Sequence, residues 1–320
     1  MLTLWLGAER MGFNLPKILK KFSVAESSYL GEGMEARVYS YGENKVLKVY
    51  GGTTTERKQQ TLKNFYDSID SHGISYALPR IYSIYKEGNI IVTIEKRIDG
   101  KNMQDLLPGL DDDQLDGYMK EHLSASLELR SIKAPKDFPG YLLFDRYDLN
   151  GSRLKDWNAF LKQYLIRELP EVQDYLDANV LHFNRKMDIL LEILSRDYHG
   201  DYSLIHGDFY PGNLLMDDTG KVTGLIDFGM MTMWGDYLFD IATSWVYFDM
   251  YDELKANIWN RYFQLLMDRL GWEVEGRLYL YVLINSIFVV NAYSADCSDG
   301  HSKWCVRNLN NPRYWDGLDR

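Results

Sequence analysis

Asp208, Asn213 and Asp227 are three oxygen-bearing side chains whose order and spacing could do chemistry together. Asp208 follows His206-Gly207, Asn213 comes five residues later, and Asp227 opens an Asp227-Phe228-Gly229 triplet at the end of an apolar run. A carboxylate that meets a substrate hydroxyl, with an Asn and an Asp to hold magnesium, are the parts that phosphoryl transfer requires. Asp208 would orient the acceptor O–H toward the γ-phosphorus and take its proton late, while positioning and charge neutralisation supply most of the rate. Asn213 and Asp227 are oxygen donors of the hard kind that Mg²⁺ takes beside phosphate oxygens. His206 has no partner at metal-ligand spacing and reads as a brace of the loop. Scattered carboxylates in a polar loop would rarely fall in this order.

Two apolar runs must position these groups. Leu214-Leu215-Met216 and the run 222–226 predict a hairpin around Asp217-Asp218-Thr219-Gly220, which sets the distance between Asn213 and Asp227. Upstream, Gly31-Glu32-Gly33 lies between two strand-like runs, where small residues let backbone N–H groups approach phosphate oxygens. Two glycines in a hairpin are weak evidence alone. They gain weight from Lys48, flanked by Val46, Leu47 and Val49, because an ammonium in an apolar strand needs a negative partner such as a phosphate. An outward-facing Lys on a half-exposed strand would fit the same alternation.

The region 22–96 predicts a strand-rich lobe, a five-stranded sheet with one helix over 56–69, where Leu62, Phe65, Tyr66 and Ile69 fall at helical spacing. Beyond Gly100 the pattern is helical: Asp111 and Gln114 form a capping-box pair for a helix through Leu129, and 157–169 and 180–194 are amphipathic. The expected division is an N-terminal nucleotide-binding lobe, 1–96, and a C-terminal catalytic and substrate-binding lobe, 97–320.

With 320 residues, 46% of them hydrophobic and 26% charged, the chain has the composition of a globular protein with a sizeable core. The net charge of -10 argues against a nucleic-acid surface, which needs clustered Lys and Arg. Two cysteines, Cys297 and Cys305, imply no disulfide framework; with His301 they make an incomplete zinc set, and two thiols beside a helix end is the better reading. The N-terminal segment lacks a basic n-region, and the longest apolar stretch, 278–290, is too short to span a bilayer. A cytoplasmic protein without membrane contact is the expectation. Nothing in the sequence sets an oligomeric state.

HGDFYPGN, then LIDFG and GDYLFDIA, resembles the aminoglycoside phosphotransferase and choline-kinase-like superfamily, whose members share the bilobal protein-kinase fold. The resemblance runs over 29–245 and is most specific over 204–240. It implies an α+β architecture with a small five-stranded antiparallel lobe and a larger, mainly helical C-terminal lobe. It implies Asp208 as catalytic base, Asn213 and Asp227 on magnesium, Lys48 on the α/β-phosphates of ATP or GTP, and Asp240 supporting the catalytic loop. The hinge is Glu95-Lys96-Arg97-Ile98-Asp99-Gly100, with the backbone of Lys96 and Ile98 on the adenine. Family members pair the strand Lys with a Glu on the following helix. Here that helix offers only Glu56, in its first turn, with Gln59, Gln60 and Asn64 beyond it.

Gly207 stands where protein kinases carry Arg, and no Ala-Pro-Glu follows Phe228, which favours a small-molecule acceptor. Trp234, Trp245, Tyr247, Phe248, Asp249 and Asp252, with 293–299, mix aromatics and carboxylates that would suit a cationic acceptor or a sugar face, or are ordinary core residues of a Tyr-rich chain. Three readings remain: an aminoglycoside-type acceptor, favoured here; a metabolic kinase of choline, homoserine or a sugar derivative; and a non-catalytic kinase-like nucleotide-binding protein.

Overall fold

The computed structural model describes residues 15–33, 35–135, 140–250 and 257–318. Helix α1 (Leu15–Lys21) precedes strands β1 (Tyr29–Glu32), β2 (Ala36–Ser40) and β3 (Lys45–Tyr50). Helix α2 (Glu56–Ser68) follows, then β4 (Ile81–Glu87) and β5 (Ile90–Lys96). These strands form one antiparallel sheet in the order β1-β2-β3-β5-β4. Alternation divides its two faces. Leu47, Val49, Val92 and Ile94 pack with Ile18, Leu19 and Val24 under α1, a covering helix that the sequence pattern had not signalled. Lys48, Tyr50, Thr93 and Glu95 share the opposite face.

Past the hinge come β6 (Lys101–Asn102), the short α3 (Met103–Leu106) and α4 (Asp112–Leu129). Both bonds of the expected capping box are present on α4: Gln114 N–H donates to Asp111 Oδ1 at 2.9 Å, and Asp111 N–H donates to Gln114 Oε1 at 3.0 Å. Helix α5 (Trp157–Asn179) runs ten residues past the predicted stop, straight through Pro170, and α6 (Phe183–Ile193) packs against it. Proline removes one backbone bond there. Trp157, Phe160, Leu161, Leu165, Val172 and Leu176 are buried on both sides of it, so apolar packing holds the helix together.

The chemistry-bearing segment is built from β7 (Ser203–Ile205), the hairpin β8 (Leu214–Met216) and β9 (Val222–Leu225), and β10 (Met233–Gly235). The predicted hairpin is there, with β6 as a third strand beside β8, and β10 closes back antiparallel on β7. Behind it lie α7 (Leu238–Tyr247), α8 (Ile258–Leu270), α9 (Glu275–Phe288), α10 (Gly300–Asn310) and α11 (Pro312–Asp316). Helix α9 is buried almost end to end, including Leu278, Tyr281, Leu283 and Ile287, which explains its uniformly apolar run. The fold is therefore α+β: a five-stranded antiparallel sheet joined to a larger helical region. Among the described residues no helix is long and apolar enough to cross a membrane.

Candidate active site

Gly207 makes the turn out of β7. Its φ is +80°, and a Cβ there would lie 1.9 Å from the Met231 carbonyl oxygen, so no larger residue fits. The turn is fixed from behind by Asp240 on α7, whose carboxylate accepts the N–H of His206 at 2.7 Å and of Gly207 at 2.8 Å. Burial pushes the Asp240 carboxyl up to about 7, with the two N–H donors pulling against it. His206 braces the loop as expected: its Nε2 donates to the Ile226 carbonyl at 2.8 Å, its Nδ1 accepts the Asp208 N–H at 3.2 Å, and its ring lies 4.4 Å from that of Phe228. Burial lowers its pKa to about 4, so the imidazole is neutral. It ligates nothing.

Asp208 points into the cleft. Asn213 Nδ2 donates to its carbonyl at 2.8 Å and to its Oδ2 at 3.2 Å. Surrounding protein pushes the Asp208 carboxyl up to about 6, helped by Asp227 and opposed by contacts from Asn213 and Tyr247. Since both partners of Nδ2 are acceptors, the amide orientation of Asn213 is fixed, and Oδ1 is its oxygen for a cation. Asn213 itself is held by the Ile226 N–H, which donates to its carbonyl at 2.9 Å. Asp227 sits at φ +63°, a left-handed conformation that Asp tolerates better than most residues. That kink aims its carboxylate, 62% exposed, across the cleft to within 4.0 Å of Lys48 Nζ. Together Asn213 Oδ1 and Asp227 offer the hard-oxygen donors that Mg²⁺ takes while keeping positions for phosphate oxygens.

Lys48 does not pair with Glu56. Its Nζ lies 3.1 Å from Glu95 Oε2, on the neighbouring strand. Register is the reason: Lys48 is paired with Thr93 across β3 and β5, so Glu95, two residues on, falls diagonally opposite on the same face. Glu56 is the first residue of α2 and is exposed, while Gln59 turns inward to Thr54, its Nε2 donating to Oγ1 at 3.1 Å. Burial alone would lower the Lys48 pKa; Glu95, with Tyr50, Asp227 and Tyr66, outweighs it, and the ammonium stays charged. Sequence reasoning missed Glu95 as this partner; an acid within an apolar strand was the signal that could have found it.

At the hinge, the Lys96 N–H is already donated to the Arg80 carbonyl at 2.9 Å, so Lys96 has only its carbonyl to offer an adenine. Gly31 lies within β1 and Gly33 opens the β1–β2 turn, both with open space where a Cβ would be. That accords with a loop left clear for a ligand.

The suggested acceptor residues separate. Trp245 and Phe248 are core: Trp245 stacks on Trp259 at 5.0 Å and Phe248 packs on Tyr262 at 4.9 Å, both fully buried. Trp234 packs against Phe65 of α2. Tyr247 stacks on Trp304 at 5.9 Å and reaches Asp208, and the exposed Tyr293 is near enough to feel that carboxylate. Asp249 is paired with Arg307 at 2.6 Å, and Asp299 caps α10 through the Ser302 N–H at 2.8 Å. Asp252 lies outside the described residues. His301 Nε2 meets the Val289 carbonyl at 3.1 Å, both cysteines are buried free thiols, and among the described residues no three His, Cys, Asp or Glu side chains cluster as metal ligands would.

Solved aminoglycoside phosphotransferases share this architecture. A GDP complex of aminoglycoside 2'-phosphotransferase-IIIa superposes with a TM-score of 0.60 at 16% identity, covering 92% of this chain and 97% of that one. The streptomycin-ATP-APH(2")-IIa ternary complex gives 0.56 at 17%, covering 93% and 96%. A putative aminoglycoside phosphotransferase from Ralstonia eutropha gives 0.56 at 13%, covering 91% and 90%. No curated protein matches the chain by sequence. Residues 28–273 match the phosphotransferase enzyme family, a span that contains the Gly31 turn, Lys48, Glu95 and the whole 206–240 segment. The chain belongs to that family of phosphotransferases.

Proposed function

We propose that this enzyme transfers the γ-phosphoryl group of a magnesium-bound nucleoside triphosphate to a hydroxyl of a small polar molecule, with Asp208 as the base. The observation that carries this is the convergence of Lys48, Asp227, Asn213 and Asp208 along one cleft between sheet and helices. Lys48 neutralises charge on the α/β-phosphates, and Asn213 Oδ1 and Asp227 hold the metal. Magnesium, when bound, supplies charge neutralisation on the phosphate oxygens. Asp208 accepts a hydrogen bond from the acceptor O–H, aims it at phosphorus and takes its proton. Asp240 and His206 keep that carboxylate in place. The backbone of Lys96 and Ile98 faces the base, and the turn at Gly31 and Gly33 covers the phosphates. Retention of all four polar groups speaks against a non-catalytic binder.

Aminoglycosides are the acceptors to test first, because solved relatives of this fold bind streptomycin, gentamicin and kanamycin. A second reading is favoured by the engaged carboxylates. Asp249 is bound to Arg307 and Asp299 to a helix end, while Tyr247 and Tyr293 stand beside Asp208. That wall suits an acceptor with few amines and a ring face or a single cation, such as a sugar derivative or a choline-like alcohol. Nucleoside diphosphate release from ATP and from GTP, measured with magnesium over aminoglycosides, amino-alcohols and sugars, separates the readings. Release with no member of the panel would count against both.

A further inference from the structure

We propose that Glu95 is the positioning residue that sets Lys48 for the nucleotide, so that the lysine is aligned by the sheet and not by α2. This rests on the reading that the cleft binds a nucleoside triphosphate. Four groups fix the arrangement, all of them strand residues on one face. Lys48 Nζ is 3.1 Å from Glu95 Oε2. Thr93 Oγ1 donates to Glu95 Oε1 at 2.5 Å, and the Tyr50 hydroxyl donates to the same oxygen at 3.3 Å. Both carboxylate oxygens are thus engaged, and Glu95 is 4% exposed. A carboxylate held this way loses little side-chain freedom when a ligand arrives, and its partner ammonium is pre-aimed.

Helix α2 is tied down by other means. Its Phe65 and Tyr66 pack on the ring of Phe228 at 5.7 and 5.9 Å, next to Asp227. Of its two acids, Glu56 faces solvent and Asp67 pairs with Lys63 on the same helix at 2.6 Å, so neither holds Lys48. The helix therefore reports to the metal-binding triplet through aromatic contacts, while the lysine answers to β5. That strand runs on into the hinge at Lys96, so one rigid element carries both the lysine's partner and the backbone that meets the base. Small shifts of α2 leave the phosphate anchor where it is.

The test is nucleotide affinity by titration calorimetry with magnesium for the full chain, its Lys48→Ala, Glu95→Gln, Glu95→Asp and Glu56→Ala variants, and the Lys48→Ala/Glu95→Gln double variant, each with its unfolding midpoint. Glu95→Gln is expected to weaken binding roughly tenfold, Glu95→Asp by less, and the double variant no more than Lys48→Ala alone, as coupled residues do. Glu56→Ala should bind as wild type. Wild-type affinity in Glu95→Gln, losses that simply multiply in the double variant, or a comparable loss in Glu56→Ala would overturn the proposal. So would affinities that track only the unfolding midpoints. A wild-type protein that takes up neither ATP nor GTP would overturn the functional reading itself, and this proposal with it.

Discussion

Asp240 Oδ1 accepts the backbone N–H of Gly207 at 2.8 Å, across thirty-three residues of chain. One carboxylate on α7 thereby holds the turn that presents Asp208. Asp240→Asn keeps the shape but turns an amide NH₂ toward one of two backbone N–H donors. A buried donor left unmatched costs about 2 kcal/mol. The variant is expected to unfold at lower denaturant and to lose turnover by tens-fold, with nucleotide affinity near wild type. Steady-state kinetics beside calorimetry checks this; unchanged turnover would show that the turn holds without Asp240.

Asp208 itself is expected to matter for chemistry and not for nucleotide uptake. Removing a general base lowers turnover by roughly 10²–10⁴. The same substitution has a stability signature. The folded carboxyl, at about 6, lies above its unfolded value, so the stability tied to its protonated form is complete below about pH 4 and is lost as pH rises through about 6. Asp208→Asn should therefore be more stable than wild type at pH 8, by about 1 kcal/mol once the open cleft face is discounted, and should lose that advantage by about pH 4. Denaturation midpoints at the two pH values read it out.

Two buried histidines set the opposite trend. His122, with Nδ1 2.7 Å from the Tyr262 hydroxyl, is held down to about 3 by burial, and His206 to about 4. Both folded values lie below the unfolded one. Their contribution is whole above about pH 6.5 and falls by up to about 1.4 kcal/mol per pH unit for each below it. His122→Phe should flatten the loss of stability between about pH 6.5 and about pH 5, whatever its stability at neutral pH. An acid limb as steep as the wild type's would contradict this.

Gly207 tolerates no side chain. Gly207→Ala brings a Cβ onto the Met231 carbonyl and places alanine at φ +80°, strains that together cost about 3 kcal/mol or more. Reduced expression or a lowered melting temperature, together with lost turnover, is the expected result. A variant with wild-type stability would mean that the turn has another conformation.

Much of this architecture was legible in the residues. The strand 45–50, the capping box at Asp111 and Gln114, and the hairpin between Asn213 and Asp227 all announced themselves through local pattern. Local pattern failed where tertiary packing decides. Helix α5 continues through Pro170 because its flanking apolar residues are buried, and the three-residue β10 is set by its pairing with β7 and by the bridge from Leu142. The partner of Lys48 was sought along the next helix, but cross-strand register, which no single segment reveals, put Glu95 there. The aromatics after Trp234 look alike in sequence and both Trp245 and Tyr247 are buried; only their contacts separate them, Trp245 stacking on Trp259 and Tyr247 reaching Asp208.

The most direct measurement is magnesium-dependent transfer of labelled γ-phosphate from ATP or GTP to a hydroxyl acceptor, run with wild type and Asp208→Ala in parallel. The expected result is a phosphorylated acceptor with wild type and a loss of roughly a thousandfold with the variant. Labelled product formed equally by both proteins would contradict the assignment of the base, and nucleotide left intact with every acceptor would contradict the catalytic reading of the cleft.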